Sequence, residues 1–246
     1  MFDALPGTLL FLAMMAGLFV PLEAFFGART KRPSGRLLGA SLLVLNTLLM
    51  QWLGVPVLET LSAIFDVQET RSVAVFALVF VLSDLVGYFI HRAMHRVPFL
   101  WRFHQLHHEA TELSWLDAWR QHPVDFVLHG LAVGVPGALL GASLSSLASV
   151  VVLRKAFTTF LHADLRLSFG LVLASPSFHA VHHSADPREY DTNFAGTFPL
   201  WDLLFGSLAA DRRGAQHQRV EPQVEAHVVR AEAVEAQAPA GAVVDG

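Results

Sequence analysis

The sequence predicts an all-α, integral-membrane helical bundle. Three observations indicate this fold class: apolar residues make up 53% of the chain and charged residues only 15%, long uncharged runs alternate with short polar connections, and histidines cluster where an apolar run ends. A soluble domain of this size is usually less apolar. The chain has no cysteine, which excludes disulfides, thiolate metal ligands and a cysteine nucleophile. The net charge of −4 and the lack of a basic stripe with interleaved aromatic residues make nucleic acid an unexpected partner.

The first apolar run covers residues 7–27 and contains one charged residue, Glu23. As a helix it is long enough to cross a hydrocarbon core of about 30 Å. A cleaved signal peptide is the alternative, but such a segment starts with basic residues. This N-terminus carries Asp3 and neither lysine nor arginine. We therefore expect an uncleaved first membrane span.

The next two runs, residues 37–58 and 72–90, are predicted to be the second and third spans. The connection before the second span carries only basic charges: Arg29, Lys31, Arg32 and Arg36. Short basic loops stay on the cytoplasmic side of a membrane. The connection at 59–71 is mostly acidic, so it is expected on the opposite side. The third span then returns to the cytoplasm and ends in the first histidine cluster.

A fourth apolar stretch, residues 126–152, is interrupted at Val135–Gly137 and at Gly141. Two full crossings need about forty residues, more than this stretch offers. If the histidines before and after it share one site, the chain must return to the side from which it entered. We therefore expect a shallow re-entrant helical hairpin, which is tolerated in a membrane when it is buried against protein.

The last part of the chain, residues 209–246, contains no aromatic residue. Such a segment cannot bury enough apolar surface to offset its loss of conformational entropy. We expect a disordered tail after one membrane-embedded domain formed by residues 1–208.

Eight of the thirteen histidines lie in three short clusters with helical spacing. The clusters are His91 and His95; His104, His107 and His108; and His179, His182 and His183. Positions i, i+3 and i+4 share one helix face, so the imidazoles of each cluster can converge, and adjacent rings diverge enough to serve two ions. Unpaired imidazoles near a membrane are costly, which argues against eight unrelated polar residues. Eight ligands exceed what one ion accepts, so the clusters predict two metal ions.

Neutral imidazole suits iron, copper, zinc and nickel. Structural zinc usually favours thiolates, which this chain lacks. Redox chemistry, such as the activation of dioxygen for insertion into a C–H bond, needs metals that store electrons and a site that excludes water. A membrane metal transporter or store is the alternative, but it would distribute polar residues along its spans. A bis-histidine haem carrier would need single histidines facing each other, not these clusters.

Three segments resemble one known family. They are SDLVGYFIHRAMHRVPFLWRFHQLHHEATELSWLDAWRQHPVD, HADL at His162, and SPSFHAVHHSADPREYDTNFAGTFPLWDLLFGS. Over residues 83–207 the chain is similar to the fatty acid hydroxylase superfamily, also called the sterol desaturase family. The resemblance implies a membrane-bound, non-haem di-iron oxygenase with its site on the cytoplasmic side. Such an enzyme hydroxylates or desaturates a lipid, for example a sterol or fatty acyl chain. It uses dioxygen and two electrons from a separate ferredoxin-type or cytochrome-type reductase chain.

The resemblance also implies metal-ligand positions. The eight clustered histidines match the family's HxxxH, HxxHH and HxxHH motifs, and two further histidines match softer positions. The implied ligands are His91, His95, His104, His107, His108, His122, His162, His179, His182 and His183. Arg166 stands where some family members have another histidine. A set of ten ligands would therefore need His122. Because ligating histidines need orienting partners, His122 could be a ligand or could orient one.

Several other residues are expected near this site. Asp84, Asp164 and Asp191 are expected to accept hydrogen bonds from imidazole N–H groups. The side-chain amide of Asn193 is expected to donate a hydrogen bond to the histidine shell. Arg120 and Trp101 are expected to brace the site, and residues 193–207 to cover it. His129 is expected to be a polar residue of the helical core.

Overall fold

The computed structural model describes residues 4–27, 36–64, 70–110, 113–184 and 186–209. The predicted disordered tail lies outside these residues except for Ala209. Within the described ranges the regular structure is helical, and the one β-bridge joins Thr70 to Ala142. The all-α prediction is therefore confirmed.

Nine α-helices follow one another along the described chain. They are α1 (Ala4–Phe26), α2 (Arg36–Leu49), α3 (Val55–Ile64), α4 (Val73–Arg96), α5 (Pro98–His108), α6 (Pro123–Leu139), α7 (Leu144–His162), α8 (Pro176–His182) and α9 (Leu200–Phe205). A π-helical turn, Met50–Gly54, joins α2 to α3 without leaving helical dihedral angles, so the two form one rod. A short 3-10 helix covers Asp117–Trp119.

Three helical segments are long and apolar enough to cross a membrane: Leu5–Phe26, Leu37–Leu61 and Val73–Arg96. They correspond to the three predicted spans. The third continues beyond the predicted end, because the first histidine cluster forms the last turns of α4 and does not follow them.

Glu23 connects the end of α1 to the histidine-bearing end of the bundle. Its side chain is buried, and its Oε1 accepts hydrogen bonds from the backbone N–H groups of Trp115 (2.8 Å) and Asp164 (3.0 Å). Asp164 directly follows α7, whose last residue is His162. The carboxyl ends of α1, α4 and α7 therefore lie at the same end of the bundle.

Helices α6 and α7 form the predicted helical hairpin, but the hairpin is longer than expected. Its turn binds the start of the third span: Thr70 N–H donates to Gly141 O (2.6 Å), and Ser143 N–H donates to Thr70 O (3.0 Å). Residues Val135–Gly137 were expected to interrupt the helix, but they belong to α6, which contains Pro136. The turn occurs at Gly141, whose φ of 67° is readily adopted by glycine.

The sequence pattern underestimated the length of the hairpin because two charged residues within α7 have partners in the folded protein. Arg154 Nη1 lies 3.0 Å from Asp84 Oδ1. The Lys155 ammonium lies over the rings of Trp119 (5.6 Å) and Phe126 (5.0 Å), an arrangement favoured by cation–π attraction. These partners allow α7 to extend beyond the apolar stretch and to carry His162 to the bundle end.

Asp84 was expected to hydrogen-bond a histidine, but the structure gives it other partners. It is fully buried, pairs with Arg154, and accepts hydrogen bonds from Phe198 N–H (3.0 Å) and Trp201 Nε1–H (2.8 Å). Asp84 therefore connects α4 and α7 to the segment that follows α8.

Candidate metal centre

Each histidine-bearing helix ends or begins at the same end of the bundle. Helix α4 ends at Arg96, because Pro98 disfavours helical dihedrals at Val97, the residue before it, and occupies the first turn of α5. Ser175 caps the start of α8, and its Oγ accepts a hydrogen bond from Phe178 N–H (3.2 Å). The starts of α5 and α8 thereby place the second and third histidine clusters next to the first.

The structure brings nine of the ten predicted histidines together in two groups. The first is a five-histidine group made of His91, His95, His104, His108 and His182. The second is a four-histidine group made of His107, His162, His179 and His183. Within each group one ring nitrogen per residue lies within 4.8 Å of all the others, and all nine residues are buried. His107 and His108 fall in different groups, as do His182 and His183, because adjacent helical residues point about 100° apart.

Four of these imidazoles have a defined tautomer. The Nδ1 atoms of His91, His162 and His182 each lie 2.9 Å from a backbone carbonyl oxygen, belonging to Phe194, Thr158 and Thr192 respectively. Nδ1 of His104 lies 2.9 Å from Asp125 Oδ2. A carbonyl can only accept, so Nδ1 donates and Nε2 keeps its lone pair. The lone pairs are therefore available for metal coordination.

The spacing of the ring nitrogens fits a shared cation. Nε2 of His162 lies 3.0 Å from Nε2 of His107 and 3.1 Å from Nε2 of His179. Its single lone pair can accept only one hydrogen bond. Two nitrogens bonded at about 2.0–2.1 Å to one ion, at angles of about 90–110°, lie about 2.8–3.4 Å apart.

Buried ring nitrogens without hydrogen bonds also indicate a bound cation. Among the described residues, neither ring nitrogen of His108 has a hydrogen-bond partner. Leaving such groups buried and unpaired is costly, and a cation would satisfy them. The donor set therefore fits a metal ion in each group.

Burial also favours the neutral form of five of these imidazoles. It lowers the pKa of His182 to about 3. It likewise lowers the pKa values of His107, His108, His179 and His183 well below the usual 6.5, with neighbouring histidines adding to the effect. Because a metal must compete with protons for these nitrogens, neutral rings at pH 7 favour metal binding.

The segment predicted to cover the site does contact it. The ring of Phe194 lies 5.2–5.7 Å from the rings of His91, His95 and His182. Asp202, which is fully buried, accepts hydrogen bonds from the backbone N–H groups of Phe194 and Ala195 (both 2.8 Å). Asp202 thereby positions the Phe194 carbonyl that orients His91.

Asn193 was expected to donate to the histidines, but it has different partners. Its Nδ2 donates to Phe178 O (3.2 Å), and its Oδ1 accepts from Ala209 N–H (2.8 Å). Asp191 and Asn193 both have left-handed backbone conformations, with φ of 57° and 55°, which these residue types tolerate better than most. The turn between them presents the Thr192 carbonyl to His182.

Other expected neighbours are placed as follows. Asp191 Oδ1 lies 3.8 Å from His95 Nδ1. The Trp101 ring lies 5.1 Å from the ring of His95 and 5.4 Å from that of His108, so it braces the five-histidine group. Arg120 lies 3.4 Å from Glu109.

Sequence reasoning missed a buried carboxylate that contacts two histidines. Asp125 is fully buried, and its two oxygens serve two histidines: Oδ2 is 2.9 Å from His104 Nδ1, and Oδ1 is 2.8 Å from His129 Nδ1. The His129 ring lies 6.0 Å from that of His91, so His129 adjoins the five-histidine group. The spacing of Asp125 and His129, four residues apart on one helix face, was a signal that could have revealed the pair.

His122 lies apart from both groups. It caps α6, where its Nδ1 accepts a hydrogen bond from Val124 N–H (3.2 Å), and its ring packs 4.9 Å from that of Phe103. The structure thus gives His122 a local role at a helix start, while His162 enters the four-histidine group.

Replacing His122 with alanine should leave the metal content unchanged. The lost cap should lower the free energy of unfolding by about 1 kcal/mol. Metal analysis of purified His122→Ala, compared with His162→Ala as the variant expected to lose metal, checks this. Loss of a metal ion from His122→Ala would contradict the placement.

Fold and site together define a helical bundle of membrane type, with two adjoining histidine groups at one end that could each hold a metal. The chain belongs to the fatty acid hydroxylase family, whose sequence model matches residues 76–207. This range includes the whole stretch, residues 83–207, on which the resemblance was based.

Similar proteins act on several lipids, as their names state. The chain is 26% identical over 153 residues to alkylglycerol monooxygenase of Xenopus tropicalis, covering 59% of this chain and 33% of that protein. It is 31% identical over 132 residues to the ornithine lipid hydroxylase OlsE of Rhizobium tropici, covering 52% and 40%. It is 32% identical over 133 residues to very-long-chain aldehyde decarbonylase GL1-11 of Oryza sativa subsp. indica, covering 52% and 50%. The matched region thus spans between a third and a half of these relatives. No solved structure matches the chain.

Proposed function

We propose that this protein is a membrane-bound, non-haem di-iron oxygenase that hydroxylates or desaturates a lipid. It would use dioxygen and two electrons from a separate ferredoxin-type or cytochrome-type donor. The convergence of two buried histidine groups at one end of an apolar bundle carries this proposal. The names of the alkylglycerol and ornithine lipid relatives support a lipid substrate.

Each histidine group would hold one iron ion. Bound irons would take up the electrons that the donor delivers and would supply the dioxygen activation needed for oxidation of a C–H bond. The protein's residues orient and enclose them. Asp125 and three backbone carbonyls hold Nδ1–H of four histidines, so the Nε2 atom of each would be available to hold an ion. Phe194 and Trp101 pack their rings against the five-histidine group and exclude water from that side.

We place the site on the cytoplasmic side of the membrane. The contact of Glu23 with Asp164 supports this, because it puts the carboxyl end of α1 at the histidine end of the bundle. The basic connection between α1 and α2 starts there, and basic short loops remain cytoplasmic. A reductase partner would reach the site from that side.

Metal transport is the alternative function, and the distribution of histidines argues against it. Among the described residues, helices α1, α2 and α3 contain no histidine. A permeation path would need ligands along its length, whereas here they are gathered at one end.

Detergent-purified protein should contain about two iron ions per chain, one for each histidine group. Replacing His179 with alanine removes a ligand whose Nε2 lies 3.1 Å from His162 Nε2 and 3.2 Å from His183 Nε2, so the four-histidine group should lose its iron. Lipid oxidation should be abolished as well. Plasma mass spectrometry and Mössbauer spectra after growth on iron-57 measure the metals, and His122→Ala serves as the matched control. Full occupancy by zinc alone, with no iron taken up anaerobically, would refute the oxygenase.

A further inference from the structure

A deep apolar groove runs between α1 and α7. Its volume is about 700 Å³, within the range of small-molecule sites. Residues of both helices line it, among them Met15, Phe19, Leu22, Ala156, Phe157 and Phe160. Among the lining residues that the structure describes, Arg166 is the one with an ionisable side chain.

The groove adjoins the histidine centre through a wall of aromatic side chains. Phe157 and Phe160 line the groove and also pack against the cluster that contains Phe178 and Phe194. The ring of Phe194 in turn contacts three histidines of the five-histidine group. His162 of the four-histidine group follows Phe160 by two residues on α7.

The dimensions of the groove match one leaflet of a membrane. Its lining on α1 extends from Met15 to Phe26, a helical rise of about 16 Å, close to half of a hydrocarbon core of about 30 Å. Arg166 lies beyond the end of α7, at the histidine end of the bundle, and is exposed. The groove therefore offers an apolar channel of leaflet depth with a cation at its outer end.

We propose that this groove binds the alkyl chain of a membrane lipid with an anionic headgroup, and that Arg166 contacts the headgroup. A guanidinium group pairs well with a phosphate or carboxylate. A role of this lipid as substrate rests on the proposed oxygenase function. Binding of the lipid in the groove does not depend on that function. The bound chain would lie against Phe157 and Phe160, on the outer side of the wall that faces the histidines.

The binding can be tested without turnover. Full-length protein is placed in nanodiscs that contain phosphatidylglycerol with a photoreactive diazirine in its acyl chain, or phosphatidylcholine with the same chain. After irradiation, mass spectrometry locates the labelled residues. Labels should concentrate on the groove residues of α1 and α7, and phosphatidylglycerol should label more strongly.

Three variants sharpen the test. Ala156→Trp fills the groove and should reduce its labelling by about tenfold. Leu78→Trp, at an exposed position on α4 outside the groove lining, should not. Arg166→Gln should reduce the preference for phosphatidylglycerol by about two- to fivefold, as for an exposed charge pair. Ala156→Leu, a smaller filling, provides a second blocked variant if the tryptophan prevents folding.

Each outcome bears on one proposal. Uniform labelling of all lipid-facing helices, or labelling unaffected in folded Ala156→Trp and Ala156→Leu, would overturn the groove site. Equal labelling by both lipids in the unmodified protein would overturn the role of Arg166. Groove labelling that these variants block supports the lipid site. If the iron-loaded protein then oxidises no lipid, the oxygenase proposal is refuted and the lipid site is not.

Discussion

Replacing Asp125 with asparagine should lower the affinity of the five-histidine group for iron by about 10- to 100-fold. The two carboxylate oxygens of Asp125 accept hydrogen bonds from His104 and His129 at 2.9 and 2.8 Å. An asparagine offers one acceptor oxygen and one donor NH₂ group, so it can satisfy only one of the two imidazole N–H groups. The other ring must rotate or change its tautomer, which for His104 removes the Nε2 lone pair from the site.

Competition with a chelator measures this loss of affinity directly, and iron content after purification provides a second readout. His129→Phe is the matched control, because it removes one partner of Asp125 and leaves the bond to His104. If the effect acts through His104, the control should retain more iron than Asp125→Asn. An Asp125→Asn protein that folds and binds iron as tightly as the unmodified one would show that Asp125 does not position His104.

Replacing Asp84 with leucine should lower the free energy of unfolding by about 3–5 kcal/mol, the usual cost of removing one partner of a buried ion pair. Asp84 is fully buried, and Arg154 Nη1 lies 3.0 Å from it. The change leaves the Arg154 guanidinium without its carboxylate. It also removes the acceptor for Phe198 N–H and Trp201 Nε1–H.

Unfolding in detergent, followed by tryptophan fluorescence, measures the change. The double variant Asp84→Leu, Arg154→Leu removes both charges and should recover part of the lost stability. If the double variant is no more stable than Asp84→Leu, the unpaired guanidinium is not the cause. The loss would then be assigned to the hydrogen bonds of Phe198 and Trp201.

The sequence by itself determined the helical class, the three membrane-length helices and eight of the nine grouped histidines. These features are local, because hydropathy and the i, i+3, i+4 spacing are properties of consecutive residues. Even the separation of His107 from His108 follows from helical geometry. The family resemblance added His162, which no spacing pattern within α7 indicated.

Only the tertiary structure decided how those local elements meet. It divided the histidines into groups of five and four and paired Asp84 with Arg154. It also placed His122 at the N-cap of α6, outside both groups. It also placed Asp125 between His104 and His129. Each of these contacts joins a residue to partners set by helix crossings or by backbone conformation at a helix start. Asp125, Arg154 and Lys155 lower the mean hydropathy of the hairpin sequence. Their contacts with other helices, which allow them to be buried, are set by the tertiary structure.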